Sequence, residues 1–187
     1  IFPDNHDMSR IFTQLNEDVV NTKMALAYLL VLPRIPQIYY GTEILMENTE
    51  KPGDHGLIRS EFPGGWEDSE VNAFTGEGLS EEKSKMQEYL KTLLNFRKES
   101  KAIHNGETIH FAPENGIYLI SRKTEDEALV LILNKNKEEV ELDLERFDEL
   151  ELEGVEMKNI ISGETVEWKD KLNLPQRGAY LFSSATE

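Results

Sequence analysis

The sequence predicts a chain in which an α/β segment is followed by an all-β segment. Over residues 1–101 the predicted elements are, in order, the end of a strand, a loop, a helix, a strand, a long loop and a second helix. That order is typical of a parallel α/β sheet or barrel. After about residue 102 the pattern changes to short runs of alternating apolar and polar residues, which predicts an antiparallel β-sandwich. We therefore expect two domains, 1–101 and 102–187.

Two helices are predicted in the first domain. The first covers residues 17–32, with Asn16 as its N-cap and Pro33 as its stop, and its second half is apolar nearly all round, which predicts burial on several sides. The second helix follows Ser80 as its cap. Its apolar face is predicted from helical spacing and consists of Met86, Tyr89, Leu90, Leu93, Leu94 and Arg97.

Two short apolar runs, 1–3 and 35–40, are predicted to form the strands of this domain, the second of them buried. The loop at 42–79 that follows is rich in glycine and proline and carries Phe62, Trp66 and Phe74. A connection of this length within a compact domain is usually functional or disordered. The three aromatic residues favour an ordered, functional loop.

The second domain is predicted to contain about seven short strands. Turn signals such as Asn115-Gly116 and Ser162-Gly163 separate them. The predicted strands cover 108–112, 116–122, 128–134, 140–144, 155–161, 165–168 and 179–182.

Charge and composition exclude several functions. The chain has 36 acidic and 20 basic residues and a net charge of −16, so it repels polyphosphates, and we expect neither nucleic acid nor a membrane as partner. A neutral ligand such as a sugar is compatible with this charge. Cysteine is absent, which excludes disulfides, thiolate catalysis and cysteine-bound zinc. The longest strongly apolar run, 24–32, is shorter than the about 20 residues that cross a bilayer.

The first residues, Ile1-Phe2-Pro3, lack an initiator methionine and are apolar. We therefore expect the chain to begin inside a larger protein, whose N-terminal signals cannot be read from this sequence. The compartment is left open, with the periplasm and secretion from a bacterium among the alternatives.

The densest cluster of polar residues, Asp4-Asn5-His6-Asp7, directly follows the first predicted strand. Barrel enzymes carry their active-site residues at the carboxyl ends of strands. There Asp7 could stabilise a developing positive charge, and His6 could donate a hydrogen bond to a sugar hydroxyl. The alternative is a turn in which Asp4 or Asp7 binds the backbone. A metal site at His6 and Asp7 is a weaker interpretation, because no further ligands stand at a recognisable spacing.

Two further groups lie after the second predicted strand. Gly41-Thr42-Glu43 falls at the same edge, and we favour a structural role for Glu43, such as a salt bridge. In the long loop, Asp54, His55 and Arg59 stand near Phe62 and Trp66, residue types that bind sugars. The alternative is that Trp66 and Phe74 form a small core of the loop. His104 and His110 are interpreted as surface or packing residues.

These residues resemble a known family. Phe2-Pro3-Asp4-Asn5-His6-Asp7 resembles the last signature block of glycoside hydrolase family 13, the α-amylase family, and residues 34–43, RIPQIYYGTE, resemble its eighth-strand block. Two such blocks in the right order, joined by a helix, make a specific signal. Residues 58–66 and 72–78 are similar to the neopullulanase and cyclomaltodextrinase branch. The resemblance covers nearly the whole chain and weakens in the β-domain.

The resemblance implies the last part of a (β/α)8 barrel followed by a β-sandwich, and the retaining hydrolysis of α-glucosidic bonds in starch-type glucans. The family's nucleophile and general acid come from the fourth and fifth barrel strands, which would belong to a missing N-terminal part of the barrel. By resemblance, Asp7 is the third carboxylate, which stabilises the transition state. His6, Asp54 and Arg59 are implied to bind substrate, although His55 makes the Asp54–Arg59 spacing one residue longer than the family pattern. Neither a cofactor nor a metal is implied.

Three functions remain open at this point. The first is a hydrolase acting on maltooligosaccharides, pullulan or cyclodextrins. The second is a glycosyl transferase or isomerase of the same family. The third is a non-catalytic carbohydrate-binding fragment. We predict that the isolated chain is inactive under all three.

Overall fold

A computed structural model describes residues 1–184, which divide into two units. The first unit contains Ile1–Leu29 and Arg34–Lys91, and the second contains Leu30–Pro33 and the chain from Thr92 onwards. The predicted domain boundary between 101 and 102 stays a prediction. The last three residues of the predicted β-domain, 185–187, lie outside the described residues. Within the described part, no helix has both the length and the apolar content to cross a membrane.

Helices and loops make up the first unit. Its helices are α1 (Ile11–Gln14), most of α2 (Val19–Val31), α3 (His55–Ile58) and the first half of α4 (Glu81–Glu99). The remaining short helix, α5 (Lys101–Asn105), belongs to the second unit. A 3₁₀ turn covers Thr42–Ile44. Helix α2 confirms the first predicted helix, and α4 confirms the second.

The N-terminus of α2 differs from the prediction. Asn16 has a positive φ of 56° and closes the turn after α1, because its N–H donates to the Thr13 carbonyl. The cap is Asp18, whose carboxylate accepts a hydrogen bond from the Asn21 N–H at 2.9 Å. The prediction that Asn16 caps this helix was therefore wrong by two residues.

Helix α4 begins as predicted, since the Ser80 hydroxyl accepts a hydrogen bond from the Lys83 N–H at 3.3 Å. Met86, Leu90 and Leu93 are buried on its apolar face. Leu94, assigned to the same face, is 39% exposed. The apolar face is therefore narrower than the sequence predicted.

The two runs predicted as barrel strands lie side by side without forming regular strands. The amino group of Ile1 donates to the Ile35 carbonyl at 2.8 Å, and the Gln37 N–H donates to the Ile1 carbonyl at 2.8 Å. This pair of bonds to one residue is the pattern of parallel neighbours. Ile35 is 89% exposed, and no residue of the run 35–40 is buried, so the prediction of a buried strand there is wrong. A single bonded position is too short to make a strand.

The second unit is an antiparallel β-structure of two sheets. The strands are β1 (Glu107–Glu114), β2 (Ile117–Lys123), β3 (Ala128–Asn134), β4 (Val140–Asp143), β5 (Val155–Asn159), β6 (Thr165–Trp168), β7 (Lys171–Leu174) and β8 (Gly178–Ser183). Six strands pair in the order β1-β2-β3-β8-β5-β6, and β4 pairs with β7. The seven predicted strands are all present, and the short strand β7 was not predicted.

Both sheets contribute to one apolar core in this unit. The core includes Val130 and Ile132 of the large sheet and Leu142 and Leu174 of the small one. Phe147, in the 3₁₀ segment Glu145–Leu150, is 1% exposed and packs edge-on against Phe111 with ring centroids 4.9 Å apart. Side chains from two facing sheets therefore fill one interior, as in a β-sandwich.

Candidate active site in the loop after the first predicted strand

A buried carboxylate starts the site loop. Asp4 is fully buried, and its Oδ2 accepts a hydrogen bond from the Ile11 N–H at 2.7 Å, at the start of α1. Burial raises the pKa of Asp4, while the Ile11 N–H and the positive charge of Arg10 act in the opposite direction. The structural interpretation of the polar cluster therefore applies to Asp4, which binds the backbone.

Arg10 joins the two sequence blocks. Its backbone N–H donates to Asn48 Oδ1 at 2.9 Å, and its side-chain NH1 donates to the Tyr40 carbonyl at 2.7 Å. The guanidinium lies over the Tyr39 ring at 4.7 Å and near the Tyr40 ring at 4.9 Å, within range of cation–π attraction. Arg10 is 1% exposed. It therefore fixes residues 4–10 against residues 39–48.

Gly41 is required beside this arginine. Its φ of +86° is unfavourable for any side chain, and a Cβ at this position would lie 2.2 Å from Met46 Sδ and 3.0 Å from Arg10 NH1. The close approach of Arg10 to residues 34–43 therefore depends on the absence of a side chain at Gly41.

The Asp7 carboxylate is held by side chains and remains more than half exposed. The Asp7 N–H is satisfied by Asn5 Oδ1 at 2.8 Å, so the turn is made by Asn5. Asp7 Oδ1 accepts a hydrogen bond from Arg59 NH2 at 2.9 Å, and Oδ2 lies 3.1 Å from His6 Nε2. The alternative in which Asp7 binds the backbone is therefore wrong.

Arg59 is oriented by three neighbours. Its Nε donates to the His6 carbonyl at 3.0 Å, and its NH2 lies 3.1 Å from His55 Nδ1 in addition to its bond with Asp7. His55 is the first residue of α3 and Arg59 follows its last residue, so the i,i+4 spacing places both side chains on one face. We call His6, Asp7, His55 and Arg59 the Asp7 cluster. The structure thus brings three of the predicted site residues together and adds His55.

Asp54 is bonded to the backbone of α3 and to Lys51 rather than to Arg59. Its Oδ1 accepts hydrogen bonds from the N–H groups of Gly56 at 2.8 Å and Leu57 at 3.3 Å, which makes it the N-cap of α3. Its other oxygen pairs with Lys51 Nζ at 2.8 Å. The hydrogen bond to Lys51 and those to the backbone lower the pKa of Asp54. A substrate-binding role for Asp54 stays a prediction.

The two roles of Asp54 predict different mutant behaviour. Asp54→Asn keeps an oxygen that can cap α3, so the cap role predicts nearly normal activity for Asp54→Asn and a loss for Asp54→Ala. Because the folded-state pKa is lowered, the charge stabilises the fold above the unfolded pKa and loses this effect as pH falls through the folded value. Thermal unfolding of both variants from pH 7 to pH 3, with the Michaelis constant for a maltooligosaccharide, distinguishes the roles. Equal losses of affinity in the two variants would favour direct sugar binding.

The long loop exposes its aromatic residues. Trp66 is 64% exposed and Phe74 is 73% exposed, although Phe74 packs against Phe62 with ring centroids 5.0 Å apart and ring planes inclined by 56°. The alternative in which Trp66 and Phe74 form a buried core of the loop is therefore wrong. These rings are accessible to a ligand. The structural role for Glu43, in the Thr42–Ile44 turn, stays a prediction, since no ion pair to it is found within residues 1–184.

Two other expectations concern the remaining histidines and a metal site. His104 and His110 are exposed, as expected of surface residues. Among the described residues, no group of three or more histidine or acidic side chains is arranged to hold a metal ion.

The contacts of His55 and Asn48 were missed by the sequence analysis. The i,i+4 spacing of His55 and Arg59 was an available signal once a helix was recognised at 55–58. Asn48, which binds the Arg10 backbone, gave no signal, because its partner is 38 residues away along the chain.

Comparisons with known proteins identify the class as glycoside hydrolases of the amylase type. Residues 1–128 match the alpha amylase catalytic domain, so the chain belongs to the α-amylase family, glycoside hydrolase family 13. Residues 108–183 match the cyclo-malto-dextrinase C-terminal domain. Together the two matches confirm the predicted fold class, the end of a barrel catalytic domain followed by a β-domain, and the predicted branch.

Similar proteins are considerably longer than this chain. A maltogenic α-amylase from Bacillus acidopullulyticus is 28% identical over 88% of this chain and 27% of its own length. A cyclomaltodextrin glucanotransferase from Paenibacillus macerans is 28% identical over 72% of this chain and 16% of its own length. The solved α-amylase of Geobacillus thermoleovorans, complexed with acarbose, is 23% identical with a TM-score of 0.71, over 97% of this chain and 38% of that one. The chain therefore spans about a quarter or less of the first two relatives.

Proposed function

We propose that this chain is the C-terminal part of a retaining α-glycoside hydrolase that acts on starch-type α-glucans, in which Asp7 stabilises the transition state. The observation that carries this proposal is the state of the Asp7 carboxylate. It is exposed, free of backbone bonds, and oriented by the side chains of Arg59 and His6 at 2.9 and 3.1 Å. A structural aspartate in a turn would bind the backbone, as Asp4 and Asp54 do.

The proposed reaction divides the work among three carboxyl groups. Retaining hydrolysis needs a nucleophile and a general acid about 5 Å apart, and both are expected from the part of the protein outside this chain. Asp7 would accept hydrogen bonds from hydroxyls of the distorted sugar. As positive charge develops on the sugar ring, the negative charge of Asp7 lowers the energy of the transition state.

The neighbours of Asp7 have separate tasks in this proposal. Arg59 fixes the direction of the carboxylate and keeps Oδ1 in place. His6, whose Nε2 N–H faces Asp7 Oδ2 at 3.1 Å, presents Nδ1 as an acceptor to a hydroxyl of the same sugar. Since a displaced group loses much of its effect on the transition state, this orientation is part of catalysis.

Starch-type substrates are supported by three observations. The relatives are named for maltogenic and cyclodextrin chemistry, and the solved α-amylase binds acarbose. The exposed rings of Trp66 and Phe74 offer flat apolar surface, which stacks well on pyranose rings. The net charge of −16 favours a neutral ligand over an anionic one.

A transferase is the second candidate, because a cyclomaltodextrin glucanotransferase is among the similar proteins. The two reactions share the glycosyl-enzyme and differ in whether water or a sugar accepts the glycosyl group. The complete protein incubated with pullulan and cyclodextrin distinguishes them. A hydrolase releases panose or maltose as reducing sugar, whereas a transferase gives longer or cyclic products without a matching rise in reducing ends. If the complete protein carries out neither reaction, a carbohydrate-binding role is favoured.

The isolated chain of 187 residues is expected to be inactive. Asp7 alone supplies neither a nucleophile at the anomeric carbon nor a proton for the leaving oxygen. The measurement is release of reducing sugar from starch and pullulan by purified chain, with the complete protein at equal molarity as positive control. Activity of the chain that survives repeated purification and disappears in Asp7→Asn would contradict this division of the active site.

A further inference from the structure

We propose that His55 is a positioning residue, whose neutral imidazole holds Arg59 in the direction that orients Asp7. This inference rests on the proposed function of Asp7 and adds a residue to it. His55 Nδ1 lies 3.1 Å from Arg59 NH2 and 3.9 Å from Asp7 Oδ1. One imidazole nitrogen therefore faces both members of the ion pair.

The hydrogen-bonding chemistry of Arg59 determines which nitrogen of His55 carries the proton in this contact. A guanidinium group only donates, so the contact is a hydrogen bond when Nδ1 of His55 carries no proton and Nε2 carries it. Arg59 NH2 then uses one hydrogen for Asp7 and the other for His55, while Nε binds the His6 carbonyl. Because the donors of a guanidinium form a rigid planar fork, these three bonds together set its rotation.

Protonation of His55 would turn its attraction to Arg59 into a repulsion. Nδ1 becomes a donor, the bond from Arg59 is lost, and two cations face each other at about the same distance. Asp7 Oδ1, 3.9 Å away, could accept from the new donor, but Arg59 already binds this oxygen at 2.9 Å. A second positive charge beside Asp7 also opposes the cation that forms on the sugar.

The surrounding charges are divided between two segments. On the loop after the first predicted strand, Asp7 faces His55, and His6 lies behind it on Oδ2. On the His55 side, Arg59 faces the ring, and the neighbouring Asp54 is occupied by Lys51 and the α3 backbone.

The test uses His55→Ala and His55→Asn in the complete protein. The amide oxygen introduced by His55→Asn can accept the Arg59 bond, whereas His55→Ala leaves no acceptor. At pH 7.5 we expect His55→Ala to lower kcat about tenfold with KM within about twofold, the size expected for one hydrogen bond to a charged group. His55→Asn should recover most of kcat.

Controls separate this role from a structural one. His104→Asn, at an exposed site in the second unit, should leave kcat unchanged, and the unfolding midpoint of each variant shows that it is folded. A wild-type kcat in His55→Ala would overturn the inference, and so would equal losses in the two His55 variants. If Asp7→Asn is inactive while the His55 variants behave as wild type, only the positioning role fails. If Asp7→Asn is active, the proposed function fails.

Discussion

Replacing Asp7 with asparagine in the complete protein is expected to reduce turnover by several-hundred-fold or more while the protein still folds. Asparagine has the shape of aspartate and keeps an oxygen that can accept the bond from Arg59. It lacks the negative charge that opposes the developing oxocarbenium ion. A well-placed electrostatic group contributes about 3–4 kcal/mol to the transition state, which corresponds to roughly 10²–10³ in rate.

The measurement is kcat on a maltooligosaccharide, with the unfolding midpoint as a check of folding. Asp68→Asn is a matched control, because Asp68 is an exposed aspartate of the long loop. It loses the same charge from the same region of the chain and should retain normal activity. Turnover of Asp7→Asn within a few-fold of the wild type would contradict a role for Asp7 in catalysis.

Replacing Arg10 with leucine is expected to destabilise the protein by about 3–5 kcal/mol, as removal of one partner from a buried charged network does. The Tyr40 carbonyl would lose its donor, and the fully buried Asp4 would lose the positive charge that partly offsets its burial. The contacts of the guanidinium with the Tyr39 and Tyr40 rings would also be lost. The measurement is the free energy of unfolding by denaturant.

Two further variants identify which property of Arg10 matters. Arg10→Lys keeps the charge and loses the planar group, so it should recover only part of the stability. Asp4→Asn combined with Arg10→Leu should be less destabilised than the sum of the single variants, because the unpaired charge is removed. A loss below about 1 kcal/mol in Arg10→Leu, in the range of an exposed ion pair, would contradict the central place of this side chain.

The β-domain shows what short apolar runs between turn signals can predict. Residues 128–134 were assigned to a strand with the bounds that the structure gives for β3. Strand β6, at Thr165–Trp168, was predicted and strand β7, at Lys171–Leu174, was missed, although both have four residues with two apolar positions. Strand β7 is held by its pairing with Val140–Asp143, about 30 residues away in the chain, which its own four residues do not reveal.

The first unit shows what local patterns cannot predict. The apolar run at 35–40 indicated a buried strand, yet Ile35 is 89% exposed. The hydrophobicity of a residue indicates that it favours burial, but it does not indicate which other residues pack over it. Asn16 was predicted as the cap of α2, but it closes the turn after α1, and Asp18 caps the helix.

The candidate site was predicted in its residues and only partly in its contacts. His6, Asp7 and Arg59 were singled out, and the structure brings them together. Asp54 was grouped with Arg59 by resemblance; it caps α3 and binds Lys51, and its role in substrate binding stays a prediction. Such choices depend on backbone geometry over a few ångströms, which residue types alone do not specify.

The most direct test of the central claim is the distance between the Asp7 carboxylate and a bound sugar. A crystal structure of the complete protein with a maltooligosaccharide gives it. We predict that an Asp7 oxygen lies within hydrogen-bond distance, about 2.5–3.2 Å, of a hydroxyl on the glucose unit at the cleaved bond. A sugar bound across the nucleophile and general acid, with Asp7 bonded only to Arg59 and out of its reach, would contradict the account.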